Sequence, residues 1–298
     1  MAAVALGLGG CAPSPAPETG SDALWSIERW KAEGADAVLI DVRKEADYAS
    51  GHLPGARQIW RNDIESTAYP YGGMAADAGR MQAVMDSLGV QPGQRIVVYD
   101  GVGGCDAARL WWLLQVYGHD EVVLLDGGPK AWVHGGDDLE TALPEAPARG
   151  GFQFTAAPEP ELLATVADVQ AAAGNGVTLI DTRTPDEHSG RRMKRGAVRA
   201  GRIPQSVHYN WGNAVDLNGI STMKSVNDLR WDLEQAGVDL NTPLITYCPT
   251  GVRSAHTTFV LRELLGATDV SNYDGSWTEW SHLEHLPLVA DQPVNPAL

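Results

Sequence analysis

Short, wholly apolar runs alternate with amphipathic stretches along most of this chain. Leu39-Ile40 leads into Asp41-Val42-Arg43, Leu179-Ile180 leads into Asp181-Thr182-Arg183, and Leu244-Ile245-Thr246-Tyr247 ends at Cys248-Pro249-Thr250-Gly251. Runs this brief and this apolar read as strands buried on both faces. After the last of them, Ala255, Phe259, Leu261, Leu264 and Leu265 mark one apolar face of a helix. Strand, turn and helix recurring in that order predict an α/β fold, a parallel sheet with helices on both faces.

The pattern occurs twice. An ungapped shift of 148 positions places Tyr99 on Tyr247, Gly103 on Gly251, Gly118 on Gly266, Asp126 on Asp274, Gly127 on Gly275 and Trp132 on Trp280. Upstream, Gly51-His52-Leu53-Pro54 echoes Gly201-Arg202-Ile203-Pro204. A period this long means two copies of one domain rather than a solenoid, and 298 residues suffice for both. Four prolines and the Gly150-Gly151 pair put the join in 141–160, between a first domain at 24–140 and a second at 161–298. Residues 1–23 differ in kind: a small apolar segment, Cys11, then a Pro-rich stretch suited to a tether.

The chemistry concentrates at Cys248. It stands where a strand ends and a loop curls into a helix N-terminus, so backbone amides can point at the sulfur and the helix end adds positive potential. Arg253 brings a full charge, and together these favour a reactive thiolate. Cys11, Cys105 and Cys248 offer neither a Cys-x-x-Cys pair nor zinc-ligand spacing, so no metal and no other cofactor is expected. Cys105 is expected to be a free small residue. Asp181 and Arg183 read as a brace under the loop, Ser276 as a helix cap, and Trp111, Trp112, Trp132 and His256 as packing.

Cys248, Gly251 and Arg253 fill the positions of Cys-x-x-Gly-x-Arg, and the loop resembles the active-site loop of the rhodanese family of sulfurtransferases. The related cell-cycle phosphatases carry one more residue between Cys and Arg, which argues against phosphatase or arsenate reductase chemistry. With its two copies the chain resembles a tandem rhodanese, two α/β domains with the active site facing their interface. Asp100 stands where the first copy would need its cysteine, so that domain is expected to be silent. The resemblance implies that Cys248 takes a sulfane sulfur from an anionic donor, 3-mercaptopyruvate or thiosulfate, and passes it to a thiol or cyanide. The alternative is a persulfide carrier serving a protein partner. Pro249, Gly251, Val252 and Ser254 would complete the substrate-binding loop.

Mercaptopyruvate-type members carry a hydroxyl residue at the third loop position and an Asp and a His from the silent domain. Thr250, Asp41 and His52 match these, and an Asp41–His52–Thr250 proton relay with a modest preference for mercaptopyruvate is the resulting expectation. Glu187 departs from the pattern, standing where an arginine would clamp the donor carboxylate. The basic run Arg191, Arg192, Lys194, Arg195, Arg199 and Arg202 is expected to line the entrance instead.

Charge narrows the partners. Thirty-eight acidic against 22 basic side chains give a net charge of −16 and argue against nucleic acid and anionic lipid surfaces. Leu8-Gly9-Gly10-Cys11 resembles a bacterial lipoprotein cleavage box, so the sequence leads us to expect lipidation at Cys11 and a periplasmic, membrane-tethered protein, or a cytoplasmic one if residues 1–23 are not a signal.

Overall fold

In the computed structural model, which describes residues 21–172 and 174–291, each half of the chain builds one five-stranded parallel sheet. The first half runs β1 (Leu24–Trp25), α1 (Ile27–Glu33), β2 (Val38–Asp41), α2 (Glu45–Ser50), β3 (Arg57–Gln58), α3 (Ala78–Ser87), β4 (Ile96–Tyr99), α4 (Cys105–Val116), β5 (Val122–Leu125) and α5 (Gly128–His134). The second runs β6 (Leu163–Ala164), α6 (Val166–Ala172), β7 (Thr178–Asp181), α7 (Pro185–Ser189), β8 (Val207–His208), α8 (Val226–Gln235), β9 (Leu244–Tyr247), α9 (Val252–Phe259), β10 (Val270–Tyr273) and α10 (Ser276–His282). Strand order is β1-β5-β4-β2-β3 in one sheet and β6-β10-β9-β7-β8 in the other. The two arrangements are equivalent, down to the pairing of Asp41 with Tyr99 and of Asp181 with Tyr247.

Local chemistry explains where elements begin. The central strands Val38–Asp41, Ile96–Tyr99, Val122–Leu125 and Leu244–Tyr247 are buried at every position, as strands covered on both faces must be. Ser26, Asp77 and Ser225 cap α1, α3 and α8 through their side-chain oxygens. Thr184 and Glu187 form a reciprocal capping box at α7.

The halves share one core. Helix α4 is buried at every position but Asp106, and a helix apolar all round must sit inside the molecule. It packs on α9, with Trp111 edge-on to Phe259 at 5.1 Å. A single apolar cluster takes in Trp111, Trp112, Leu113, Phe259, Leu261 and Leu264 from both halves. Within 141–160, Gly150 and Ala156 donate their amides to Asp86 and Gly118 carbonyls, and Phe152 packs on His119, so this part lies along the first domain.

Each half also sends a strap across to the other. Residues 65–75 are closed by the bridge Glu65–Ala75, and residues 215–223 by Val215–Met223. The Ala75 amide donates to Asp274 at the end of β10, and the Met223 amide donates to Asp126 at the end of β5, both at 2.9 Å. The first strap is further held by Tyr71, whose hydroxyl donates to Glu279 at 3.2 Å.

Candidate active site

Cys248 follows β9 directly and is fully buried. The turn behind it is fixed from outside. Ser276 Oγ accepts from the amides of Cys248 (3.1 Å) and Gly251 (3.0 Å) and donates to the Tyr273 carbonyl. The Trp277 amide donates to the Cys248 carbonyl, and Thr278 donates both its amide and its hydroxyl to the Pro249 carbonyl. Gly251 takes a left-handed φ of 71°, and a Cβ there would lie 2.7 Å from Arg109 Nη1 and 2.8 Å from the Asp274 carbonyl. Only glycine fits.

Tying the carbonyls outward leaves donors pointing inward. Among the described residues, the amides of Thr250, Val252, Arg253 and Ser254 donate to no protein acceptor, and Ser254 Oγ is buried without a partner. These are the open N–H groups of a helix start, gathered beside a sulfur.

The silent copy shows what such a ring accepts. Asp100 Oδ1 takes the amides of Val102 (2.7 Å) and Gly104 (2.9 Å), while Oδ2 takes those of Asp106 (2.6 Å) and Ala107 (3.1 Å). On the internal repeat these donors match Thr250, Val252, Ser254 and Ala255. The first domain thus fills its own ring with a carboxylate, whereas the second leaves the amides beside Cys248 without a protein acceptor.

The charges differ from expectation in one respect. Arg253 is not a free cation: both its terminal nitrogens donate to Glu187, at 2.8 and 3.0 Å. Burial pushes the Glu187 carboxyl up, but the bonds and charge of Arg253 outweigh it and hold it at about 2. Glu187, whose place in the sequence pattern called for an arginine, is therefore the partner that orients Arg253. Arg253 in turn is raised despite its burial, by Glu187 first and then by Cys248.

Of the basic run, Lys194 is the residue whose charge is felt by Arg253, Cys248 and Glu187. It is exposed, and its ammonium is lowered by desolvation and by Arg253, with Cys248 and Glu187 acting in the opposite direction. Arg191 pairs with Asp186 at 2.6 Å with both side chains more than half exposed, and Arg202 pairs with Asp291 at 2.7 Å. Arg199 donates to the carbonyls around the end of α10, and Arg192 is exposed, its amide donating to the Asp186 carbonyl. Arg191, Arg199 and Arg202 are thus each engaged by other groups of the protein. From the silent domain Arg61 comes to 3.3 Å of Asp106, whose carboxyl is pushed up to about 6 by burial and by Asp100 against the pull of Arg61 and Lys194.

The relay of Asp41, His52 and Thr250 is not assembled either. Both oxygens of Asp41 are taken by Arg43, at 2.6 to 3.0 Å. His52 is fully buried, stacked on Tyr48 at 3.8 Å, with Nδ1 bonded to the Tyr48 carbonyl. They brace the first domain as Asp181 and Arg183 brace the second, where Asp181 binds Arg183 at 2.6 Å and the Tyr247 hydroxyl at 2.9 Å. Thr250 instead meets the first strap: a Cβ on Gly73 would come within 2.5 Å of Thr250 Cβ.

Two residues escaped the sequence reading. Ser276 is a strut under the loop rather than a cap of its own helix, with a positive φ of 51° that few non-glycine residues adopt. Arg109, buried in α4, reaches across to the catalytic loop. Comparing the copies flags both, since Ser276 falls on Gly128 and Arg109 on Thr257. Cys105 is free and buried, its thiol pushed well up by burial and then by Asp106 and Asp100, while Cys11 lies outside the described residues.

Comparison with known proteins shows the family. The rhodanese-like domain matches residues 27–134 and again 165–283. Over 276 residues the chain is 34% identical to a putative thiosulfate sulfurtransferase of Saccharopolyspora erythraea, covering 90% of this chain and 95% of that one. It is 33% identical over 283 residues to a thiosulfate sulfurtransferase of Corynebacterium glutamicum, covering 91% and 90%. Among solved structures it is similar in fold to wild-type EanB, with a TM-score of 0.73 at 22% identity, covering 86% of this chain and 64% of that one.

Proposed function

We propose, from the premise that this chain belongs to the rhodanese-like family and is a sulfurtransferase, that Cys248 carries the sulfur as a persulfide and that thiosulfate is the favoured donor. The observation that carries the reading is the set of unpartnered amides of Thr250, Val252, Arg253 and Ser254 in the loop that follows Cys248. In the first displacement the Cys248 thiolate attacks the outer sulfur of thiosulfate. A sulfur–sulfur bond forms to Cys248, the bond to the sulfonate sulfur breaks with its electron pair, and sulfite leaves. In the second, cyanide or a thiolate attacks the outer persulfide sulfur, and the Cys248 thiolate departs as thiocyanate or a new persulfide forms. Electrons balance within each step, and no added oxidant is required. Both steps place negative charge on sulfur inside the ring, where fixed amides stabilise it most.

Thiosulfate is preferred because the hydroxyl relay that would serve mercaptopyruvate is absent, while Lys194 brings positive charge towards Cys248 for a dianion. The relatives named thiosulfate sulfurtransferase support the same choice. Mass spectrometry after incubation with each donor tests the reading: one sulfur atom is expected on Cys248, faster from thiosulfate. Cys248→Ser abolishes transfer with the fold kept, and Cys105→Ser leaves it intact. A faster rate from mercaptopyruvate, or activity surviving in Cys248→Ser, overturns it.

We also propose that the protein is exported and lipid-anchored through Cys11, on the strength of Leu8-Gly9-Gly10-Cys11 and the Pro-rich stretch after it. Stable attachment needs more than one acyl chain. Unmodified full-length protein in the host's cytosolic fraction would remove this.

A further inference from the structure

The two domains meet about a pseudo-twofold relation, so the silent side of the interface is a built-in control for the catalytic side. Much of the contact is matched. Ala75 N on Asp274 mirrors Met223 N on Asp126. The carbonyls of Gly251 and Gly103 are each held by the other domain's helix, through Arg109 and His256 respectively.

One feature is not matched. On the catalytic side Arg109 Nη2 donates to Asp274 Oδ1 (2.5 Å) and to the Gly73 carbonyl (2.9 Å), and Nη1 donates to the Gly251 carbonyl (3.4 Å). Its guanidinium lies over Trp112 at 4.7 Å, and it is 1% exposed. One side chain thereby joins the catalytic loop, the strap resting on Thr250 and the end of β10. On the silent side the counterpart of Arg109 is Thr257, and Asp126 has two amides but no cation. Desolvation accordingly pushes the Asp126 carboxyl up to about 7.

A buried ion pair is a poor way to gain stability, since its desolvation cost rivals its attraction. An interface that needed only adhesion would have kept the two sides alike. The pair sits where the chemistry is and is missing where it is not.

We propose that Arg109, a residue of the silent domain, is a positioning residue for sulfur transfer, fixing the Gly251 carbonyl and the first strap so that the amides of Thr250 to Ser254 hold their ring around Cys248. This rests on Cys248 as the nucleophile. Arg109 touches no substrate. Its effect passes through the loop, where small displacements of preorganised donors cost rate steeply.

The test compares two like substitutions on mirror-related acids, Asp274→Asn and Asp126→Asn, together with Arg109→Met and Arg109→Lys. For each, kcat and KM for thiosulfate-to-cyanide transfer, the iodoacetamide alkylation rate of Cys248 and the melting temperature are measured. Asp274→Asn is expected to lose about a hundredfold in kcat with little change in KM and with slowed alkylation. Asp126→Asn keeps the wild-type kcat. Arg109→Lys keeps the charge but cannot span three oxygens, so it regains melting temperature over Arg109→Met without regaining kcat. Equal losses in the two acid variants, or kcat restored in step with stability by Arg109→Lys, would reduce Arg109 to interface packing and overturn the proposal. Should Asp274→Asn fail to fold, the Arg109→Lys comparison decides alone. If the wild type takes up no sulfur, the persulfide reading fails, and the alkylation rates still decide this one.

Discussion

Ser276 holds a left-handed backbone that costs a non-glycine residue on the order of 1–3 kcal/mol, while its hydroxyl serves two amides of the catalytic turn. The silent copy has Gly128 in the same conformation, with φ 49° and no hydroxyl. Of the two copies, only the one whose turn the hydroxyl holds carries the strain at this position. Two substitutions separate strain from strut. Ser276→Gly relieves the backbone but loses the strut and orphans the same two amides, so kcat falls about tenfold or more and the melting loss is only partly offset. Ser276→Ala keeps the strain and orphans two buried N–H groups, at about 1–3 kcal/mol each, so it melts lower than Ser276→Gly. Equal melting temperatures for the two would show that the strain is not there. At this scale the sequence was partly legible. Cys248, Gly251 and Arg253 announce themselves by spacing, because the loop's backbone demands them. Glu187 as the partner of Arg253, Ser276 and Arg109 did not, because their roles depend on which remote side chains folding brings within 3 Å. For Asp41 the repeat itself held the clue: Asp41 and Arg43 recur as Asp181 and Arg183, and a motif shared by both copies signals a common brace before it signals chemistry.

Helices α4 and α9 pack on each other, and His256 of α9 reaches the residue before α4's cap with Nε2 on the Gly103 carbonyl at 3.1 Å. That bond makes Nε2 the protonated nitrogen of a neutral ring, and Nδ1 is buried without a partner. Burial lowers this histidine to about 4, only partly offset by the Gly103 bond. With a folded value below the unfolded value of about 6.5, its contribution is complete above that pH and is lost as pH falls towards 4. The slope approaches about 1.4 kcal/mol per pH unit. Asp106 and Asp126 run the other way, since both are raised and their folded forms gain stability as pH falls. The isolating measurement is therefore a difference: relative to His256→Gln, which retains a donor for Gly103, the wild type loses about 3 kcal/mol between pH 7 and pH 4. A gap that stays constant with pH would mean the histidine is not held neutral. The central strands were legible, because Leu244–Tyr247 and its equivalents need only be apolar and short, whereas two-residue edge strands such as Arg57–Gln58 carry no such signal. The straps were not, since 65–75 has no period and gains its shape from the domain it crosses.

Across the whole molecule, duplication is written in the sequence, but what the silent copy does is not. Its loop carries a carboxylate in its own ring, and it touches the second domain through Arg109, the Gly103 carbonyl and the first strap. The exchanged straps have one more consequence. Each half is gripped by a segment belonging to the other, on top of a core that runs through both, so the peptide bond joining them contributes little to their union. The exposed stretch around Leu143, Pro144 and Glu145 can be cut without touching either grip. A protein nicked there, or co-produced as two pieces ending and starting at that point, is expected to migrate as one heterodimer in native mass spectrometry and to retain sulfur transfer. The second piece alone is expected to be insoluble, with the α9 face bared. Two pieces that part on dilution would show that it is the tether, rather than the mutual grip, that keeps the halves together.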